Sequence, residues 1–143
     1  MLQELLNNYV LKTALFAWAL AQLLKVIFVL LTQKRWDFER LVGAGGMPSS
    51  HSALVTSLTF AIGKELGFDS IEFAMAFTVA MVVMYDAAGV RRAAGKQAEV
   101  LNQILDDFYH AEFNRERLKE LLGHTPVEVL AGAAIGVIVA ILL

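Results

Sequence analysis

The chain has 143 residues, of which 57% are hydrophobic and 18% charged, against roughly 45–50% and 25% in ordinary soluble domains. Its net charge of −2 excludes the bulk basic character of a nucleic-acid binder. The absence of cysteine excludes disulfides, thiol catalysis and Cys-ligated metal. The length suits a single domain over residues 1–143, embedded in a membrane.

Residues 1–8 lack a basic stretch, and the apolar run that follows is too long for the core of a cleaved signal peptide. That run, residues 9–31, is interrupted only by Lys12, Gln22 and Lys25. A second apolar segment covers residues 52–62 and continues to about 66; a third covers 71–90; a fourth covers 127–143. Crossing a bilayer takes about 20 apolar residues in a helix. The first and third segments meet that length, and the second and fourth serve if tilted or protein-buried. None shows the polar face that a soluble surface helix needs. The expected fold is therefore all-α: a polytopic membrane bundle of about four transmembrane helices.

Between the third and fourth segments, residues 97–122 carry Val100, Leu101, Ile104, Leu105, Phe108, Phe113, Leu118, Leu121 and Leu122 at helix-like spacing. This predicts one or two amphipathic helices on the membrane surface or against the bundle. With four crossings, this connection shares one side with the loop after the first segment. Together they hold nine of the twelve Lys and Arg residues, which predicts a cytoplasmic location for both and an inner or plasma membrane protein. A bundle of four helices is thin, and a homo-oligomer would complete its core.

Three clusters carry chemistry. The first is GAGGMPSSHS, residues 43–52. Gly45 and Gly46 let the backbone approach a ligand. Ser49 and Ser50 stand where helix caps stand, and a helix start with free N–H groups binds phosphate. Capping alone accounts for the serines, but not for His51 in the first turn. The second cluster is YDAAGVRR, residues 85–92. Arg91 and Arg92 serve as snorkelling anchors or as phosphate ligands. Asp86 is an ionisable group at the end of a membrane helix, where a partner is expected, and it would orient an arginine or lysine. The third cluster runs from Gly123 to Gly132. Gly123 reads as a helix stop, and Thr125, Pro126 and Glu128 form a capping box around a helix start. His124 stands just before it, where a carboxylate would fix its tautomer and make it a better nucleophile or base. All three clusters fall on one predicted side. Convergence would give two imidazoles, paired arginines and a helix start, a set suited to a phosphoryl group.

At this point the chain resembles a family: the divergent PAP2 branch of the type 2 phosphatidic acid phosphatases, relatives of the vanadium haloperoxidases. Pro48-Ser49-Ser50-His51 is similar to the superfamily's Pro-Ser-Gly-His motif, with Ser for Gly. His124-x3-Glu128 is similar to the end of its Ser-Arg-x5-His-x3-Asp motif, with Glu for Asp. Leu118 stands where that motif has arginine, so Arg91 or Arg92 would supply the guanidinium across an insertion. The Lys-x6-Arg-Pro motif is absent as written, leaving Lys25, Lys34, Arg35 and Arg40 as substitutes. The strings GGMPSSHSA and VMYDAAGVRRAAGKQA are specific to the divergent branch.

The resemblance implies a phosphomonoesterase that needs no metal or other cofactor and acts on a lipid phosphate among membrane lipids. His124 would attack phosphorus, Glu128 would orient it, and His51 would protonate the leaving oxygen. Ser49, Ser50, Arg91, Arg92, Lys25 and Lys34 would hold phosphate, with Asp86, Gly45 and Gly46 in support. Two rival expectations stand beside it. One is a non-catalytic membrane protein that binds a lipid head group. The other is a metal-dependent phosphotransferase, since Asp86-x2-Gly89-x2-Arg92 with Gly95 and Asp106 resembles the CDP-alcohol phosphotransferases. That site needs several more aspartates to hold metal.

Overall fold

A computed structural model describes residues 2–34, 46–108, 118 and 123–143. Its regular structure is helical throughout the described residues: α1 (Leu2–Asn7), α2 (Tyr9–Gln33), α3 (Ser50–Leu66), α4 (Ile71–Ala88), α5 (Val90–Phe108) and α6 (Pro126–Leu142). The helix starts are written in the sequence. Asn8 accepts from the Leu11 N–H at 2.9 Å, Ser70 accepts from Phe73 N–H at 3.2 Å, and Thr125 forms the expected capping box with Glu128. Each cap satisfies an N–H that the helix itself leaves open.

The four apolar segments of the sequence correspond to α2, α3, α4 and α6. Of the described residues, Tyr9–Thr32 and Ile71–Asp106 are long and apolar enough to cross a membrane, and α6 is a shorter apolar helix. The amphipathic helix departs from expectation. α5 begins at Val90, not near residue 97, and follows α4 after the single residue Gly89. The Gly89 N–H still bonds the Tyr85 carbonyl at 2.9 Å, and its own carbonyl receives the Ala93 N–H at 2.9 Å. Helical bonding is thus carried across the junction, which polarity alone does not reveal. Arg91 and Arg92 consequently lie in the first turn of α5. The rest of the expected amphipathic stretch, residues 109–117 and 119–122, lies outside the described residues, as does the proposed helix end just before Gly123.

α3 sits at the centre, packed on α2, α4 and α6. Its buried residues are small or hydroxyl-bearing: Ser50, Ser52, Ala53, Thr56, Ser57, Thr59, Ala61 and Gly63. Several of these hydroxyls bond back along the helix. Thr56 donates to the Ser52 carbonyl at 2.7 Å and Thr59 to the Val55 carbonyl at 2.7 Å. α6 approaches α3 so closely that a Cβ on Gly132 would strike the Ser49 carbonyl, and one on Gly136 would strike Thr56 Oγ1. Large apolar side chains such as Phe16, Ile27, Met75, Val82, Leu130 and Ile138 face outward instead. A polar, small-residue interior inside an apolar shell is the arrangement lipid selects, because packing in lipid gains little from burying Leu or Phe.

Candidate active site

The N-terminal ends of α3 and α6 and the C-terminal end of α4 are tied together by two backbone hydrogen bonds. The Ser49 N–H donates to the Glu128 carbonyl at 3.0 Å, and the His124 N–H donates to the Ala87 carbonyl at 2.9 Å. These links bring His51 and His124 edge to face, with ring centroids 6.3 Å apart. Both line a cavity of about 230 Å³, together with Val82, Val83, Asp86, Ala87, Arg91 and Gly123. Each of the three sequence clusters contributes a residue to it.

His124 is 3% exposed. Its Nδ1 lies 3.3 Å from Glu128 Oε2. The same oxygen accepts the Thr125 N–H at 2.9 Å, and Thr125 Oγ1 accepts the Glu128 N–H at 3.3 Å. One carboxylate thus completes the helix cap and faces the imidazole. A carboxylate only accepts, so the neutral ring carries its proton on Nδ1 and its lone pair on Nε2. Nε2 is buried and has no hydrogen-bond partner among the described residues. Burial, assisted by the Lys25 charge, outweighs the opposing pull of Glu128 and of the Gly46 carbonyl and holds His124 below the ordinary histidine range.

The cations are distributed unequally. Arg91 lines the cavity, and its Nε donates to Asp86 Oδ2 at 2.8 Å, so the partner expected for Asp86 is this arginine. Arg92, its neighbour, is exposed and does not line the cavity. Lys25, on α2, is 1% exposed and donates to Gln22 Oε1 at 2.9 Å. It is close enough for its charge to act on both imidazoles. Lys34 closes α2 in a left-handed conformation, its N–H on the Leu30 carbonyl, and is not among the cavity residues. Ser49 and Ser50 are buried. Ser49 Oγ accepts from both the N–H and the hydroxyl of Ser52, so it is engaged as a cap, and neither serine lines the cavity. Gly46 adjoins His124 through its carbonyl, while Gly45, Arg35 and Arg40 lie outside the described residues. Among the described residues, no group of three or more His, Asp or Glu side chains is placed to hold a metal ion.

Sequence reasoning missed Val82, Val83 and Ala87. The signal was present: they stand four and three residues before Asp86 and one after it, so two of them share its helical face. A uniformly apolar segment offers no contrast by which to single them out.

The family model described as the divergent PAP2 family matches residues 6–139. The chain is also 40% identical, over 152 aligned positions, to the protein named uncharacterized membrane protein YuiD of Bacillus subtilis (strain 168); the match covers 98% of this chain and 96% of the relative. No solved structure matches it. The motifs gathered around the cavity and these two matches agree: the chain belongs to the divergent PAP2 family.

Proposed function

We propose that the protein is a lipid-phosphate phosphatase of the membrane, working through a phosphohistidine and without a metal. The observation that carries this reading is the Nε2 atom of His124: buried, unpartnered among the described residues, and on a ring that lines the cavity beside a second imidazole and an arginine. Buried polar atoms are ordinarily satisfied, and a catalytic role is one explanation of an exception.

In the first step Nε2 attacks phosphorus and the bond to the leaving oxygen breaks. Its electron pair goes to that oxygen, which takes a proton from His51 and departs as the alcohol. Glu128 stabilises the positive charge that develops on the His124 ring. Neutral His51 then removes a proton from water, the resulting hydroxide attacks phosphorus, and the P–N bond breaks to free phosphate and His124. Arg91 and the Lys25 charge offset the phosphoryl oxygens. In this reading α2, α3, α4 and α6 cross the membrane and the site opens to the cytoplasm.

A second reading, head-group binding without turnover, is favoured by one observation: the motifs are altered, with Ser50, Glu128 and Leu118 where the superfamily has Gly, Asp and Arg. The experiment that separates them is phosphate release from a panel of lipid phosphates by the pure protein in detergent, with His124→Ala as control. The phosphatase reading expects EDTA-resistant release that the substitution abolishes. Release retained by His124→Ala overturns the mechanism, and binding without release supports the second reading. EDTA-sensitive release would revive the phosphotransferase alternative.

A further inference from the structure

We propose that the substrate's apolar chain enters and leaves the cavity sideways, through the lipid-facing wall formed by Val82 and Val83 on α4. The proposal rests on the phosphatase-site reading for the location of the phosphate, and on the shape of the cavity for the route.

A cavity of about 230 Å³ is smaller than the ~300–1,000 Å³ pockets that enclose drug-sized ligands. It can hold a phosphoryl group and the start of an alkyl chain, and the remainder must leave. The imidazoles of His51 and His124 form one wall. Asp86 and Arg91, half-exposed and ion-paired, form a second, and an alkyl chain leaving past them would meet charge and water. Val82 and Val83 form a third, one helical turn from Asp86 toward the middle of α4.

Val82 is 64% exposed on the outer surface of the bundle and also lines the cavity. One residue belonging to both surfaces means that the cavity reaches the outside there. Val79, one turn further along the same face, is 56% exposed, and the apolar track continues along it. The cavity is thus graded, with ionic groups at one end and an apolar exit at the other. That polarity matches a phosphate monoester carried directly on a long hydrocarbon chain. α6 presents equally exposed apolar residues such as Leu130, but Leu130 does not line the cavity.

The test compares kcat/KM for a long-chain alkyl phosphate in phosphatidylcholine vesicles with that for soluble nitrophenyl phosphate, and reads the ratio of the two. Val82→Trp places a bulky ring across the exit and should lower the lipid-to-aryl ratio by ~tenfold or more. Leu130→Trp, a surface change of the same kind on α6, should leave the ratio unaltered. An unaltered ratio in Val82→Trp, or an equal fall in Leu130→Trp, overturns the route. If the wild type turns over neither substrate, the phosphatase reading fails, and the route is read by crosslinking an alkyl phosphate that carries a diazirine on its chain. Label on residues 79–83, displaced by the plain alkyl phosphate, supports the route whether or not turnover occurs. Label spread over α2 and α6, or not displaced, overturns it.

Discussion

α3 and α4 are neighbouring helices of 17 and 18 residues, and they solve opposite problems. α3 buries serines, threonines, alanines and a glycine against three other helices. α4 buries only Ala80 and Ala87 and exposes Met75, Phe77, Met81 and Tyr85. In water this distribution would be inverted. In lipid the central helix is chosen for close backbone approach, and the outer helix for its fit to hydrocarbon. The site lies where the two kinds of surface meet: His51 comes from the central helix, and Val82 and Asp86 come from the outer one.

The comparison is broken most severely at the seam between α3 and α6. Gly136→Leu would force a side chain into Thr56 and the Ala53 carbonyl, so a loss of ~3 kcal/mol or more is expected, enough to remove the monodisperse peak in detergent chromatography. Met75→Leu on the outer face of α4, 61% exposed, should shift the thermal midpoint negligibly. Equal sensitivity at the two positions would contradict the division between core and shell.

A second effect is chemical and specific to the α3 side of the site. A proton donor matters most when the leaving group is poor, so His51→Ala should slow an alkyl phosphate by ~10²–10⁴-fold and nitrophenyl phosphate far less. Steady-state kinetics on both substrates check this. Equal losses would remove His51 from the role of acid.

The smallest expected effect is on stability. His124 is held below its unfolded value of 6.5, so the unfolded chain binds more protons. Stability should be level above about pH 6.5, decline as pH falls below that value, and flatten again once the folded-state pKa is passed. In His124→Ala this part of the decline should disappear from denaturation curves taken across that window. An unchanged decline would assign it to other groups.

Much of this is legible in the sequence. The apolar segments mark α2, α3, α4 and α6 to within a few residues because charged residues are few within them and cluster between them. Ser49 and Thr125 announce the starts of α3 and α6 because an open N–H wants a nearby oxygen. The sequence places His51, the paired arginines and His124 in clusters expected to converge, and His51, Arg91 and His124 do line one cavity. The cavity wall at Val82 and Val83 was not legible, since valines facing lipid and valines facing a ligand read alike. Nor was the continuation of α4 into α5, because Gly89 and the paired arginines look like an ending. The choice between Arg91 and Arg92 also needed coordinates, since helical phase, which local composition does not encode, puts only Arg91 at the cavity.

The central claim is that His124 Nε2 becomes covalently attached to phosphorus. It is tested most directly in His51→Ala, where the missing base should slow hydrolysis of the intermediate. Mixing that variant with a ³²P-labelled aryl phosphate and quenching in alkali should trap an acid-labile, alkali-stable label, and mass spectrometry should place the added phosphoryl group on His124. Turnover without such a label, or a label on any other residue, would contradict the mechanism.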